Sequence, residues 1–381
     1  MILTLTGTAL VAVALHPFTT YPASLTFLAR IRPKPLATGT APETAALCVC
    51  AFNEERVIRQ KALNMLAMQD AFPDLELLIY VDAGSDRTAA ILEEFADRIH
   101  VVVAPQRTGK TVGMNLLTQL TKADCLIFSD ANVMIEAEAV PRLLAQFADP
   151  DVGVACGHLQ YGHVPGSATA STGSLYWRLE EEIKRLESAT GSVMGADGSI
   201  FAMRRRLYSR PPADLIDDMY VSLSALCDGA RVVRVGDALA FEDQVSEAAE
   251  EFQRKVRIAC QGFNVHRALW PRLRRLPLLD VYKYVSHKLI RWLVVYFLVV
   301  GSALVAAGLA LSGQWVALAA EGVAFLVASC VPALRSILFS FAGAGLGVAR
   351  SMRGHRYQTW SPPASSRIVP VDSSLKTRAV R

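Results

Sequence analysis

Four short apolar runs in this chain each stop at side chains that can handle charge. LCVCAF (47–52) runs into Asn53-Glu54-Glu55, and LELLIYVD (75–82) ends at Asp82 and continues to Asp86. IHVVVAP (99–105) leads to Gln-Arg-Thr-Gly-Lys110, and DCLIFSDAN (124–132) closes on Asp130-Ala-Asn132. Taken singly each is ordinary: Asn and Asp cap helices, and Gly-Ser-Asp is turn chemistry. Together they put several carboxylates and an amine at the ends of successive strands, where charged ligands or protons can be handled. Gln-Arg-Thr-Gly-Lys-Thr is not a nucleotide-binding GxxxxGK[ST] loop, because Ala104, just before Pro105, stands where its opening glycine would be. There is no GxGxxG either.

The elements between these runs must position them. NEERVIRQKALNMLAMQ, RTAAILEEFADR and GMNLLTQLTKA have helical spacing. Strand and helix alternating at this rhythm predict an α/β domain whose sheet carries helices on both faces. In such sheets ligands bind at the carboxyl ends of the strands. His158 and His163 flank Tyr161 in what reads as a loop after a strand and are more often surface residues than ligands. Trp177 heads WRLEEEIKRLE, whose charges read as a solvated face with i,i+4 pairs.

Composition bounds the rest. The chain has 381 residues, 52% hydrophobic, with mean hydropathy +0.29 and net charge +4. No charge precedes Arg30, and residues 292–320 carry none. Basic residues flank these apolar stretches: Arg30, Arg32 and Lys34; Lys288 and Arg291; Arg350, Arg353 and Arg356. Basic flanks mark the cytoplasmic side of membrane spans. No aromatic-basic stripe accompanies them, so nucleic acid is not the expected partner. The seven cysteines fit neither a zinc site nor a disulfide framework, as in a reducing compartment.

The order of motifs resembles family 2 of the glycosyltransferases, with the GT-A fold, and especially the membrane-integrated relatives of cellulose, chitin and hyaluronan synthases. CAFNEE (50–55) looks like P-x-Y-N-E-E, VDAGSD (81–86) like V-D-D-G-S-x-D, and GKTVGMN (109–115) like G-K-x-x-A-L-N. SDAN (129–132) takes the place of the metal-binding D-x-D, and GADGSIFAMRR (195–205) that of the acceptor-pocket stretch. IDDMYVSL (216–223) matches the E-D or D-D motif, and FQRKVRI (252–258) is similar to Q/R-x-x-R-W.

The resemblance implies roles. Ala51, Glu54, Asp82, Lys110 and Asp130 would bind the nucleotide, and Asp130 with Asn132 would hold Mg2+ or Mn2+. Asp218 would be the catalytic base, with Asp217 raising its pKa by like-charge repulsion. Arg254 and Arg257, three apart on a helix, would clamp the diphosphate. Asp197 and Gly198 would shape the acceptor pocket. Three positions depart from the pattern: Ala83 for the second Asp of VDDGS, Asn132 for the second Asp of D-x-D, and Ile258 for the closing Trp.

The expected organisation is an anchor at 1–29 and a linker at 30–45, then a cytoplasmic GT-A domain at 46–275 with a mixed, mostly parallel sheet. An interfacial helix at 276–288, a transmembrane hairpin at 289–334, an interfacial helix at 335–352 and a tail at 353–381 follow. The expected activity is inverting transfer from a nucleotide-diphosphate sugar, with UDP preferred, to a saccharide or lipid-linked acceptor at a bacterial plasma membrane. Membrane lipids and polysaccharide-export proteins are the expected partners. Two alternatives stand beside it: single-sugar transfer to a lipid, and an inactive subunit that senses sugar nucleotides.

Overall fold

The computed structural model describes residues 1–39, 42, 44–161, 168–242 and 248–359. His163 and the tail beyond residue 359 lie outside them. Two helices come first, α1 (Ile2–Leu15) and α2 (Thr20–Ile31). The α/β domain follows as β1 (Ala45–Ala51), α3 (Ile58–Ala71), β2 (Leu75–Val81), α4 (Thr88–Leu92), β3 (His100–Val103), α5 (Lys110–Leu120) and β4 (Cys125–Asp130). It continues as β5 (Met134–Ile135), α6 (Ala139–Ala145), β6 (Val152–Tyr161), α7 (Ala168–Ala189), β7 (Ile200–Arg204), α8 (Asp217–Cys227), β8 (Arg231–Glu242) and α9 (Ala248–Leu273). The chain then enters α10 (Leu278–Tyr284), α11 (Ile290–Leu311), α12 (Trp315–Cys330) and α13 (Pro332–Met352).

The sheet has eight strands in the order β3-β2-β1-β4-β7-β6-β8-β5. β1 to β4 pair parallel, β7 runs antiparallel to both neighbours, and β6 and β8 are parallel to one another. β1 is a near-continuous apolar run because the sheet is covered on both faces. Alternate side chains serve opposite cores: Leu47, Val49 and Ala51 join α3 and α6, whereas Ala46 and Cys48 join α5, α8 and α9. The parallel half brings the ends of β1, β2 and β4 to one rim, which the sequence reading required.

Several elements differ from expectation. His158 lies within β6, paired with Leu239, rather than in a loop. The charged face of α7 is largely buried, with Glu180 8%, Lys184 9% and Glu187 0% exposed. The reason is that α7 packs against α2, where Tyr21, Leu25, Ile183 and Leu186 share a core. Among the described residues of this helix, only Arg185–Glu182 behaves as a solvated intrahelical pair.

Leu278–Leu311 forms one 34-residue helix through a π-helical turn at Val285–Leu289, with no break where an interfacial helix would hand over to a span. It is long and apolar enough to cross a membrane; α1 with α2, bent by 51°, and α12 with α13 are long and apolar enough only if each bent pair is taken as one span. α1 lies closely on α11: a Cβ on Gly7 would stand 2.5 Å from the Gly301 carbonyl oxygen. Small residues of this kind let helix backbones approach. After α13, residues 355–358 turn back to the α/β domain. The carbonyl of His355 accepts from Asn264, that of Tyr357 from Gln261, and Arg356 pairs with Asp214 at 2.7 Å.

Candidate active site

The loops after β1, β2 and β3 are stitched together by their own polar residues. The backbone N–H of Asp82 donates to the Ala51 carbonyl, and that of Glu54 to Thr88 Oγ1 at 2.8 Å. Asn53 and Ala83 take left-handed backbone conformations, φ 54° and 49°. Asn53 Oδ1 accepts from the N–H of Ser85. Asp82 is buried, and both its oxygens accept backbone N–H groups, from Thr108 at 2.6 Å and Gly109 at 2.9 Å. Asp82 therefore shapes the turn that delivers Lys110. Gln358 closes over the same turn, donating to the Thr108 carbonyl at 3.1 Å.

Lys110 begins α5 and gathers the acids. Its Nζ is 2.7 Å from Asp130, at the end of β4, and 3.1 Å from Asp217, in the first turn of α8. Burial works against its charge, but Asp130, Asp217 and Asp218 outweigh burial and hold it well above the usual lysine range. The magnitudes agree: a unit pair at about 4 Å is worth about 4 kcal/mol at an effective dielectric near ~20. Two or three such neighbours exceed a desolvation cost of several kcal/mol.

Asp218 follows Asp217 and accepts the Met219 N–H at 2.6 Å. Desolvation, then the Asp217 charge, push its carboxyl up to about 7. A carboxyl tuned there can take a proton near neutral pH. Gly198 faces this group. A Cβ at residue 198 would come within 3.1 Å of Asp218 Oδ2, 3.4 Å of Lys110 Nζ and 3.7 Å of Asp130 Oδ2. Its neighbour Asp197 is held by Lys184 at 2.8 Å, and Lys184 also meets Glu181 at 3.1 Å. Glu181 in turn binds His158 and Arg234.

Arg254 and Arg257 lie on α9. Burial and the charge of Arg254 lower Arg257 to about 10, and Asp130 and Asp218 pull it the other way, so it lies within electrostatic reach of the acids. Its guanidinium donates to Gln261 at 3.1 Å. Asn132 is turned toward β8, donating from Nδ2 to Glu242 at 3.0 Å.

Lys110, Asp130, Asp217, Asp218 and Gly198 are thus brought together. Ala51, Glu54 and Asp82 build the neighbouring loops, Asp197 is tied back by Lys184, Arg257 lies within electrostatic reach of the acids, and Arg254 lies within reach of Arg257 and Glu242. Lys61, Lys184, Glu242 and Gln358 were not singled out from the sequence. Their roles depend on partners 13 to 250 residues away. Only Lys61, a lysine among apolar residues of a helix, left a local signal.

The oxygen chemistry suits one hard divalent cation. Asp130 is partly exposed at 40%, and Asn132, with its amide nitrogen engaged, has an oxygen to offer. Among the described residues, no group of three or more His, Cys, Asp or Glu is arranged around one point.

Residues 46–210 match the family model Glycosyl transferase family 2. An N-acetylglucosaminyltransferase of Rhizobium leguminosarum bv. viciae is 25% identical over 224 residues, covering 54% of this chain and 52% of that protein. One from Rhizobium meliloti (strain 1021) is 26% identical over 258 residues, 61% of this chain and 60% of that protein. The chain thus spans between half and two thirds of the length of these relatives. A mannosyltransferase from Pyrobaculum calidifontis, solved with GDP-Man and Mn2+, superposes with TM-score 0.74 at 17% identity, over 92% of this chain and 99% of that one. That likeness establishes a shared GT-A-like α/β fold.

Proposed function

Residues 46–210 are a glycosyl transferase family 2 domain, and from that premise we propose that the chain is an inverting, metal-dependent glycosyltransferase. The observation that carries the reading is the cluster of Lys110, Asp130, Asp217 and Asp218 around the open position at Gly198. Asp218 accepts the proton of the acceptor hydroxyl as that oxygen bonds to the anomeric carbon. The bond from that carbon to the diphosphate oxygen breaks, and the nucleoside diphosphate leaves. Lys110 and Arg257 draw toward the departing phosphates, and Arg254 reinforces them. Mg2+ or Mn2+ bound at Asp130 and Asn132 would neutralise phosphate charge.

The named relatives favour an N-acetylglucosamine-type donor, and the nucleotide we propose is a UDP-sugar. The acceptor is a saccharide or a lipid-linked one. The long apolar helix supports a chain seated on a membrane, and the basic residues flanking it support a catalytic domain in the cytoplasm. Ile258 in place of the motif's Trp favours single transfer to a lipid acceptor over polymerisation.

The test is nucleoside diphosphate release by the purified full chain across UDP- and GDP-sugars, with Mg2+ or Mn2+ and a lipid or oligosaccharide acceptor. Turnover of one donor is the expected result. Nucleotide binding without turnover of any donor would instead favour the sugar-nucleotide-sensing subunit.

A further inference from the structure

Lys61 is an unusual residue for its place. It lies on the inner face of α3 among Ile58, Ala62 and Met65, and it is 0% exposed. Its Nζ donates to Ser129 Oγ at 3.0 Å and to the Val133 carbonyl at 2.6 Å. Among the described residues it has no carboxylate partner within ion-pair distance. A buried amine without a paired acid is costly, so its retention calls for a reason in what it holds.

What it holds is the turn that presents Asp130 and Asn132. Ser129 immediately precedes Asp130, and Val133 immediately follows Asn132, so the two bonds bracket the segment from below. One helical turn on, Asn64 grips the next residues. Its Oδ1 accepts the Ile135 N–H at 2.8 Å, and its Nδ2 donates to the Ile135 carbonyl at 2.7 Å. Lys61 and Asn64, three apart, thus face the same side of the helix and tie residues 129–135 at four atoms. Ser129 Oγ itself leans on the Asp130 carbonyl at 3.3 Å. The turn has little regular structure of its own, since β5 is only two residues long. Burial pushes the Lys61 ammonium down to about 7, and Asp130 is the acid that pulls it back, which places the two within electrostatic reach.

We infer that Lys61, aided by Asn64, is a positioning residue of the metal and diphosphate site, clamping the 129–135 segment so that Asp130 and Asn132 present their oxygens to one cation. The inference rests on the glycosyltransferase reading and adds to it a support from α3. It makes Lys61 neither a ligand nor a base. Groups that orient metal ligands typically govern affinity by about 10- to 100-fold.

The test titrates Mn2+ into the full chain with UDP present and follows the free-ion paramagnetic resonance signal. Wild type must bind first; if it does not, the metal reading itself fails and this inference falls with it. In Lys61→Met, a variant of similar length that cannot donate, the Mn2+ dissociation constant should rise about tenfold. The Mn2+ concentration for half-maximal turnover should rise alike, while kcat at saturating Mn2+ changes by less than about threefold. A folded Lys61→Met with unchanged Mn2+ affinity overturns the clamp. If Lys61→Met does not fold, Asn64→Ala decides, since it cuts only the Ile135 bonds: weaker Mn2+ binding supports the clamp and unchanged binding overturns it.

Discussion

Gly198 stands where any side chain would meet the proposed base: its Cβ would lie 3.1 Å from Asp218 Oδ2. The same Cβ would crowd Lys110 and Asp130. Substitution here removes room from the site without touching the core. Gly198→Ala should fold like wild type and lose about 10²-fold in kcat/KM, the size of effect that small misplacements of reacting groups produce. Steady-state kinetics beside a thermal melt check this.

The pH profile follows from the Asp218 carboxyl, raised to about 7 by desolvation and by Asp217. The base must be ionised, so kcat/KM should rise about tenfold per pH unit below that value and level off above it. The two partners act in opposite directions. Asp217→Asn removes a like charge and should move the limb to lower pH. Lys110→Met removes the cation that favours ionisation and should move it to higher pH, with a lower plateau. Profiles of the three proteins over pH 5–9 distinguish these shifts.

The same carboxyl links stability to pH. Its folded value lies above the 3.8 of the unfolded chain. The stabilisation it contributes is therefore complete below that lower value and is lost as pH rises through about 7. Asp218→Asn keeps the amide-oxygen bond to Met219 and abolishes the titration. The melting temperature of the variant relative to wild type should therefore be higher at pH 8 than at pH 5, by a few degrees. An equal offset at both values would remove Asp218 as the linked group.

Asn132 departs from the usual second acid of the metal motif, and Glu242 offers a physical reason. The Asn132 amide donates to Glu242 at 3.0 Å, so an aspartate there would face a like charge. Desolvation, with Asp130 adding, already raises the Glu242 carboxyl, against Arg254 and the Asn132 bond. Asn132→Asp alone should not improve Mn2+ affinity. Asn132→Asp combined with Glu242→Gln should bind Mn2+ about tenfold more tightly than Asn132→Asp alone, a difference of about 1.4 kcal/mol. Calorimetric titration of the two variants with UDP present measures it.

The strand ends could be read from the sequence because a parallel sheet projects polar residues from one rim, and each motif is local. Asp130 and Lys110 were legible for that reason. Glu242 and Gln358 were not, since a strand from the far side of the sheet and a segment after the last helix reach the site only through folding. The charges of α7 were misread because helical spacing does not tell a water-facing stripe from one that buries Glu187 against Tyr21. The continuous helix Leu278–Leu311 was divided at its basic residues, yet Arg291 pairs with Glu180 and Lys283 donates to the Glu187 carbonyl, so both are accommodated without a break.

Binding and turnover measured together in Asp218→Asn test the proposed chemistry most directly. With Mn2+ present, the variant should bind UDP within about threefold of wild type, while nucleoside diphosphate release from the donor that wild type uses falls by about 10³-fold. Turnover within about tenfold of wild type, with binding intact, would contradict Asp218 as the base on which the site assignment turns.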